Sequence, residues 1–371
     1  MSIDPALERA DAAQMAVALR LARRGLGRVW PNPAVGCLLV KEGRVVGRGW
    51  TQPGGRPHAE ARALQAAGAD AKGATAYVTL EPCAHHGKTP PCADALIDAG
   101  IARVVSATED PDPRVAGRGH ARLEAAGIAL RTGVQRVAAE DLNRGFLLRL
   151  DQGRPMVTLK LATSLDGRIA THRGESQWIT GPEARAQAHL LRAEHDAVMV
   201  GSGTAISDNP RLTVRLPGLE ARQPLRLVTD SRLALPLTHD LVAKAPEVPT
   251  WIFTRRDVES ARRRAFEQAG VDIIPLEATA REPLDLTACL QELGRRGLTR
   301  VLVEGGGRLA ASLLAAQLVD RLVIFSAGLT LGGDGMPGIG GLGLEHLADA
   351  PRFQRQSVTP IGPDVMVQYS H

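Results

Sequence analysis

His58-Ala59-Glu60, Pro82-Cys83 and Cys92 put one imidazole, two thiols and a carboxylate into a short stretch of chain. One imidazole and two thiolates can hold a zinc ion with its fourth tetrahedral position open, whereas a structural site would normally close that position with another Cys or His. An open zinc site activates water. Glu60, two residues from the imidazole, is placed to take a proton from that water and pass it to a departing amine. The catalytic assignment is therefore Glu60, and the metal assignment is His58, Cys83 and Cys92. A lone H-x-E is weak by itself, and a His at a helix start with two separated cysteines can be ordinary packing. The Pro-Cys step and the surrounding elements favour the metal reading.

Gly54-Gly55-Arg56-Pro57 interrupts the chain before His58, and Ala61, Leu64 and Ala67 follow at helical spacing, which puts His58 at a helix N-terminus. A strand-like run over 76–80 ends at Glu81-Pro82-Cys83, and Pro90-Pro91 precedes Cys92 and a helical stretch over 93–99. At such a helix start the Cys92 thiolate is expected to be favoured by the dipole and free backbone N–H groups. Eight residues separate the two cysteines, against two in the common zinc-deaminase signature. His85 and His86 in that insertion are further possible ligands, with substrate contact or a loop role the alternatives.

The elements that must carry these residues read as mixed α/β. An Ala-rich amphipathic helix over 6–24 precedes strands over 35–40 and 44–50, and a further strand over 102–107, a helix over 119–126 and a strand over 128–130 follow. Asp151-Gln152-Gly153-Arg154-Pro155 is a polar, breaker-containing segment before the strand over 156–162. Short apolar runs over 198–200, 225–228, 251–253, 301–303 and 321–325 then alternate with helical stretches, as in an open α/β sheet. The 371 residues suit two domains, set at 1–147 and 148–371.

Glu304-Gly305-Gly306-Gly307, between the 301–303 strand and a helix over 308–316, could bring backbone N–H groups to a phosphate, although glycine turns are common. Gly333-Asp334-Gly335-Met336-Pro337-Gly338 has the formal dinucleotide spacing but no following helix, so it is rejected as such a fingerprint.

The net charge of +5 is modest, only five of the 45 basic residues are Lys, and aromatics make up 3%. That leaves no stacking platform or basic tract for a nucleic-acid partner. Neither a signal segment nor a membrane span is read, and four cysteines in this length do not form a disulfide framework. A cytoplasmic enzyme is expected, with homo-oligomerisation possible; Cys37 reads as a buried strand residue.

Pro31-Asn32-Pro33-Ala34-Val35-Gly36, His58-Ala59-Glu60, the whole stretch from Thr79 to Cys92, and Asp110-Pro111-Asp112-Pro113 closely resemble the deaminase half of the bacterial bifunctional riboflavin-biosynthesis deaminase/reductase family. The resemblance implies a cytidine-deaminase-like fold for the first domain. It also implies hydrolytic deamination of 2,5-diamino-6-ribosylamino-4(3H)-pyrimidinone 5′-phosphate, with Asn32 a substrate contact. Lys160 to Gly167, Gly174 to Thr180, Leu191-Arg192, Gly201 to Thr204, Asp208 to Arg215 and Glu304-Gly305-Gly306 are similar to the reductase half. A dihydrofolate-reductase-like second domain is implied, using NADPH to turn the ribosylamino side chain into ribitylamino. By that carry-over Ala162, Trp178, Thr204, Asp208, Ser231, Gly306 and Gly307 would contact the cofactor. Ser176, Arg192, Leu212, Arg215 and Glu304 would contact the substrate, with Arg192 and Arg215 as forked donors to its phosphate. Without the resemblance Trp178 and Leu212 would read as core residues and Arg192 as a solvated helix residue.

A nucleic-acid-editing deaminase would share the zinc motif but needs the basic, aromatic groove that the composition lacks. A structural zinc protein would keep its metal in Glu60→Gln and have no turnover to lose.

Overall fold

The computed structural model describes residues 4–85, 90–112, 116–277 and 284–371. Contacts divide the chain into Met1–Gln152 and Gly153–His371. The first unit runs α1 (Pro5–Arg23), β1 (Gly36–Lys41), β2 (Arg44–Trp50), α2 (Ala59–Ala67), β3 (Thr75–Val78), α3 (Cys92–Asp98), β4 (Arg103–Ser106), α4 (Arg118–Ala125), β5 (Ala129–Arg131), α5 (Arg136–Leu142) and α6 (Arg144–Gln152). Its sheet has the order β2-β1-β3-β4-β5, with β1 antiparallel to both neighbours and β3, β4 and β5 parallel.

Alternating side chains give this sheet two apolar faces. Cys37, Leu39, Ala76 and Val78 face a core shared with Ala59 and Ala63 of α2, Ala93 and Leu96 of α3 and Leu123 of α4. Leu38, Tyr77 and Val105 face Met15, Ala18 and Leu19 of α1 instead. The α1 N-terminus combines Pro5 at its first position with an Asp4 side chain that accepts from the Ala6 N–H at 2.8 Å. Its buried Asp11 accepts two bonds from Arg103, at 2.8 and 2.6 Å, one from Arg131 at 2.6 Å and one from the Tyr77 hydroxyl at 3.0 Å. A buried carboxylate is tolerated only when its lone pairs are filled in this way.

Glycine sets the spacing between α2 and the sheet. A Cβ on Gly49 would lie 2.0 Å from the Ala59 carbonyl oxygen, and one on Gly47 would lie 2.4 Å from that of Ala63. The helix therefore rests backbone to backbone on β2 at Gly47 and Gly49.

The second unit runs β6 (Met156–Thr163), β7 (Arg168–Ala170), α7 (Pro182–Ala193), β8 (Ala197–Gly201), α8 (Ser202–Asp208), β9 (Leu225–Thr229), α9 (Asp240–Ala243), β10 (Thr250–Arg255), α10 (Ser260–Gln268) and β11 (Asp272–Leu276). It continues with α11 (Leu286–Arg295), β12 (Arg300–Glu304), α12 (Gly307–Ala315), β13 (Arg321–Ser326), β14 (Met336–Pro337), β15 (Gln354–Ile361) and β16 (Asp364–Ser370). Nine strands form one sheet in the order β11-β10-β9-β8-β12-β6-β13-β16-β15. The run from β11 to β13 is parallel, and the β15–β16 hairpin adds an antiparallel edge. The five residues of β12 are all buried, as expected for a central parallel strand covered on both faces.

The open sheet expected from the sequence is present, but β15 and β16 were not anticipated. Most of β15 is exposed, and its Gln-Arg-Gln-Ser start carries no apolar pattern to read. The segment 333–338, which lacked a following helix in sequence, instead contributes β14, paired with β7.

Candidate active sites

His58 is the N-cap of α2, and Glu60 lies in that helix's first turn. Cys92 opens α3, and Cys83 follows the end of β3 by five residues, so four separate chain segments are not needed: two helix starts and one strand exit suffice. The ligand atoms of His58, Cys83 and Cys92 all lie within 4.8 Å of one another. His58 Nδ1 is 3.3 Å from Cys92 Sγ and 3.7 Å from Cys83 Sγ. The Cys92 N–H donates to Cys83 Sγ at 3.3 Å, and the Ala93 N–H donates to the Cys83 carbonyl at 3.1 Å. One nitrogen and two sulfurs converging in this way fit a zinc ion, which favours such a donor set in tetrahedral array.

The thiol with the depressed pKa is Cys83 rather than Cys92, the reverse of what the helix start suggested. The Cys92 side chain and backbone N–H both donate to Cys83 and bring it down to about 4. That same partnership, together with burial, pushes Cys92 upward. Two adjacent thiols do not ionise independently, so the first charge settles on the sulfur with more donors. Burial, followed by the charge on Cys83, raises the Glu60 carboxyl to about 7, with His58 opposing. A carboxyl in that range accepts and returns protons near neutrality.

These groups open onto a cavity of about 250 Å³ whose walls include Asn32, His58, Glu60, Cys83, Asp110 and Phe146. Asn32 is held against Gly55, where a Cβ would sit 1.8 Å from Asn32 Nδ2; the glycine, at φ +82°, leaves room for the amide. Burial raises the Asp110 carboxyl to about 6 despite the Asp112 N–H that it accepts. His85 also lines the cavity, but its side chain is not among the grouped ligand atoms. His86 lies outside the described residues. Asp110 and Glu81 carry structural weight that the sequence reading did not assign, although both stood inside quoted motifs.

In the second unit the expected residues cluster at the C-terminal ends of parallel strands, where open α/β sheets bind their ligands. Ala162 is the penultimate residue of β6, Thr204 lies in the first turn of α8 just past β8, Ser231 follows β9, and Gly306 and Gly307 follow β12. A Cβ on Gly306, which has φ +82°, would lie 3.0 Å from Thr204 Oγ1, so those two segments touch. Gly307 is covered by the chain itself: a Cβ there would meet the Pro337 carbonyl at 2.6 Å, and the Gly340 N–H donates to the Gly307 carbonyl at 2.8 Å. Trp178 is 65% exposed and stacks under Arg185, with the guanidinium 4.7 Å from the ring centroid. Among the described residues no bond draws Asp208 or Ser176 into this cluster; Asp208 accepts from its neighbour Ser207 at 2.6 Å.

Glu304 ends β12 in a buried ion-pair group. Arg192 Nε and Nη2 reach its two oxygens at 2.5 and 2.9 Å, Arg192 Nη1 donates to the Thr213 carbonyl at 2.9 Å, and Lys160 Nζ stands 3.9 Å away. Burial alone would raise the Glu304 carboxyl, but Arg192 overrides it and holds it at about 2. The Arg192 fork is thus closed on Glu304, not presented to a phosphate as the sequence reading had it. Arg215 is exposed, its Nη1 donates to Thr213 Oγ1 at 3.3 Å, and its backbone N–H donates to His189 Nδ1 at 3.4 Å. Leu212 is 3% exposed, as a packing residue would be, and lies in the same 212–215 segment. Lys160 and His189 were missed as members of this group: Lys160 was read as part of a strand and of a stretch resembling the reductase half but given no contact, and a single His on a helix gives no signal.

Residues 155–367 match the family described as RibD C-terminal domain, and residues 8–108 match the cytidine and deoxycytidylate deaminase zinc-binding region. Riboflavin biosynthesis protein RibD of Escherichia coli (strain K12) is 47% identical over 366 residues, covering 96% of this chain and 98% of that one. The chain belongs to the RibD family. RibD of Aquifex aeolicus (strain VF5) is 42% identical over 357 residues, covering 96% of this chain and 97% of that one. Among solved structures, Acinetobacter baumannii RibD has a TM-score of 0.86 at 37% identity, covering 98% and 99% of the two chains. A Thermotoga maritima structure described as a diaminohydroxyphosphoribosylaminopyrimidine deaminase/5-amino-6-(5-phosphoribosylamino)uracil reductase has a TM-score of 0.85 at 34% identity, covering 98% and 99%. As a RibD, the chain is a bifunctional deaminase and reductase of riboflavin biosynthesis acting on phosphorylated pyrimidines, with a zinc-binding deaminase half and an NADPH-using reductase half. Among the described residues no helix is long and apolar enough to cross a membrane.

Proposed function

We propose that Glu60 is the proton shuttle of the deaminase and that His58, Cys83 and Cys92 hold its zinc ion. The observation carrying this reading is the convergence of those three ligand atoms beside the buried Glu60 carboxyl, which lines the same cavity as His58 and Cys83. When bound, zinc supplies an activated water for attack at the amino-bearing carbon. Glu60 takes up a proton at its carboxylate and returns it to the departing amine. Asn32, fixed over Gly55, orients the pyrimidine ring, and the buried wall of the cavity excludes bulk solvent.

In the reductase half, Ala162, Trp178, Thr204, Asp208, Ser231, Gly306 and Gly307 would flank the NADPH, whose contribution is the hydride for the opened ribosyl group. Gly306 beside Thr204 is the most direct support for a backbone approach to the cofactor. Arg215, exposed and without a carboxylate partner in the bonds it makes, grips the substrate phosphate; Arg192 instead fixes Glu304 as a charged acceptor for the substrate. Ser176 and Leu212 complete the substrate contacts. The two activities are assigned to 1–147 and 148–371, in a cytoplasmic enzyme that acts without a nucleic-acid partner. A coupled assay tests the whole reading: with the diaminopyrimidine phosphate as substrate, ammonia release should precede NADPH oxidation. NADPH oxidation without prior ammonia release would overturn the assigned order.

A further inference from the structure

We infer that Glu81 is a positioning residue of the deaminase: one carboxylate fastens the segment bearing Asp110 to the strand exit bearing Cys83, so that a metal ligand and a wall of the cavity are held as one piece. The inference rests on the zinc-deaminase reading of this site. The Glu81 side chain is wholly buried. Its Oε2 accepts from the Asp110 N–H at 3.2 Å and the Gly117 N–H at 3.0 Å, and its Oε1 accepts from the Gly119 N–H at 2.7 Å and the His120 N–H at 3.2 Å. The Glu81 N–H in turn donates to the Thr108 carbonyl at 2.9 Å. Helix α4 has Gly117 as its N-cap and no capping side chain of its own. Glu81 supplies the missing acceptor from another element, and its charge also suits the positive end of the helix.

The link to Cys83 runs through the peptide before it. Gly119 lies so close to the Pro82 carbonyl oxygen that a Cβ would stand 1.9 Å from it. The first turn of α4 therefore rests on the peptide that leads into Cys83. Beyond it, His120 Nε2 meets Ser106 Oγ at 2.9 Å at the end of β4, giving the bracket a second anchor in the sheet.

Four N–H donors on two oxygens require a carboxylate. A carboxamide has one acceptor oxygen, and its NH₂ would confront two N–H groups with further hydrogens. Glu81→Gln keeps shape and length while removing half the acceptors.

The variant is expected to keep one zinc per chain when zinc is supplied, yet lose it to a chelator about 10- to 100-fold faster. Deaminase kcat/KM should fall by a similar factor, the scale on which groups that orient metal ligands act. Reduction of already deaminated substrate should be unchanged. Parental chelator kinetics and parental kcat/KM in a Glu81→Gln protein that is merely less heat-stable would overturn the inference.

A second measurement needs no variant. Coupling between the ligand and the bracket is reciprocal, so stripping zinc from the native chain should speed hydrogen exchange at the amides of Asp110, Gly117, Gly119 and His120 together. Unchanged exchange at those four amides would refute the coupling even if Glu81→Gln failed to fold. Failure of the unmodified protein to release ammonia would instead undo the deaminase reading on which the inference stands.

Discussion

Glu60 and Arg215 permit the sharpest tests, because each has one proposed task and a conservative way to remove it. Glu60→Gln preserves the shape of a fully buried side chain and leaves the three ligands in place. Zinc content should stay at one per chain by metal analysis, while ammonia release falls about 10²- to 10⁴-fold, the usual worth of a positioned acid/base. Loss of zinc along with activity would show that the carboxylate serves the metal instead. Arg215→Ala should raise the reductase KM for the pyrimidine phosphate by about 10- to 100-fold, corresponding to roughly 1.5–3 kcal/mol for a charge-assisted bond. The KM for NADPH and the deaminase turnover should hardly move; a loss confined to NADPH binding would transfer Arg215 to the cofactor site. The grouping of His58, Cys83 and Cys92 was legible in sequence because two thiols and an imidazole at this spacing have few other uses. The partner of Arg192 was not legible, because a fork is equally suited to a phosphate or a carboxylate, and only the fold brings Glu304, 112 residues away, within its reach.

At the scale of elements, the helix starts bearing His58 and Cys92 and most central strands were legible from breakers and apolar runs. The β15–β16 edge was not, since an exposed antiparallel edge can be built from polar residues without a periodic signal. Also hidden was the seam where α7 passes into β8. His195, just past α7, has Nδ1 2.7 Å from the Leu191 carbonyl and Nε2 2.9 Å from the Thr158 hydroxyl. The carbonyl fixes a proton on Nδ1, and the Thr158 hydroxyl can donate to Nε2 of the neutral ring. Burial, reinforced by Arg300, lowers its pKa to about 3. The unfolded chain takes up a proton on this ring below about pH 6.5, so its contribution to stability is intact above that pH and is lost as the pH falls toward 3. Thermal unfolding followed between pH 7 and 4 should show the decline. His195→Gln, which has no titrating ring, should flatten it, and an equally steep decline in that variant would assign the acid sensitivity to other groups.

For the whole molecule, the division at Gln152 and Gly153 separates two sheets, each with its own core and its own set of functional residues. A fragment beginning near Leu148 is expected to reduce already deaminated substrate with NADPH at a rate close to that of the full chain. A folded fragment that binds NADPH but never turns over would mean that reduction depends on the first unit. Composition and the breaker segment near 151–155 made two units legible. The nine-stranded order did not follow from sequence, because the run lengths and loops that were readable do not say which strands become neighbours.

The seam between α2 and β2 has a consequence for thermal motion. Leucine or methionine contacts would let a helix ride on side chains that hop among rotamers, and its position would blur accordingly. Gly47, Gly49, Ala59 and Ala63 have no side-chain torsion between heavy atoms to vary, and the helix is stopped by the hard contact of peptide groups. His58 and Glu60 share that helix, so the imidazole and the proton carrier inherit a common, narrow distribution of positions. At Gly47 and Gly49 it is peptide groups, not rotamers, that limit how closely the helix bearing the proton carrier can approach the sheet.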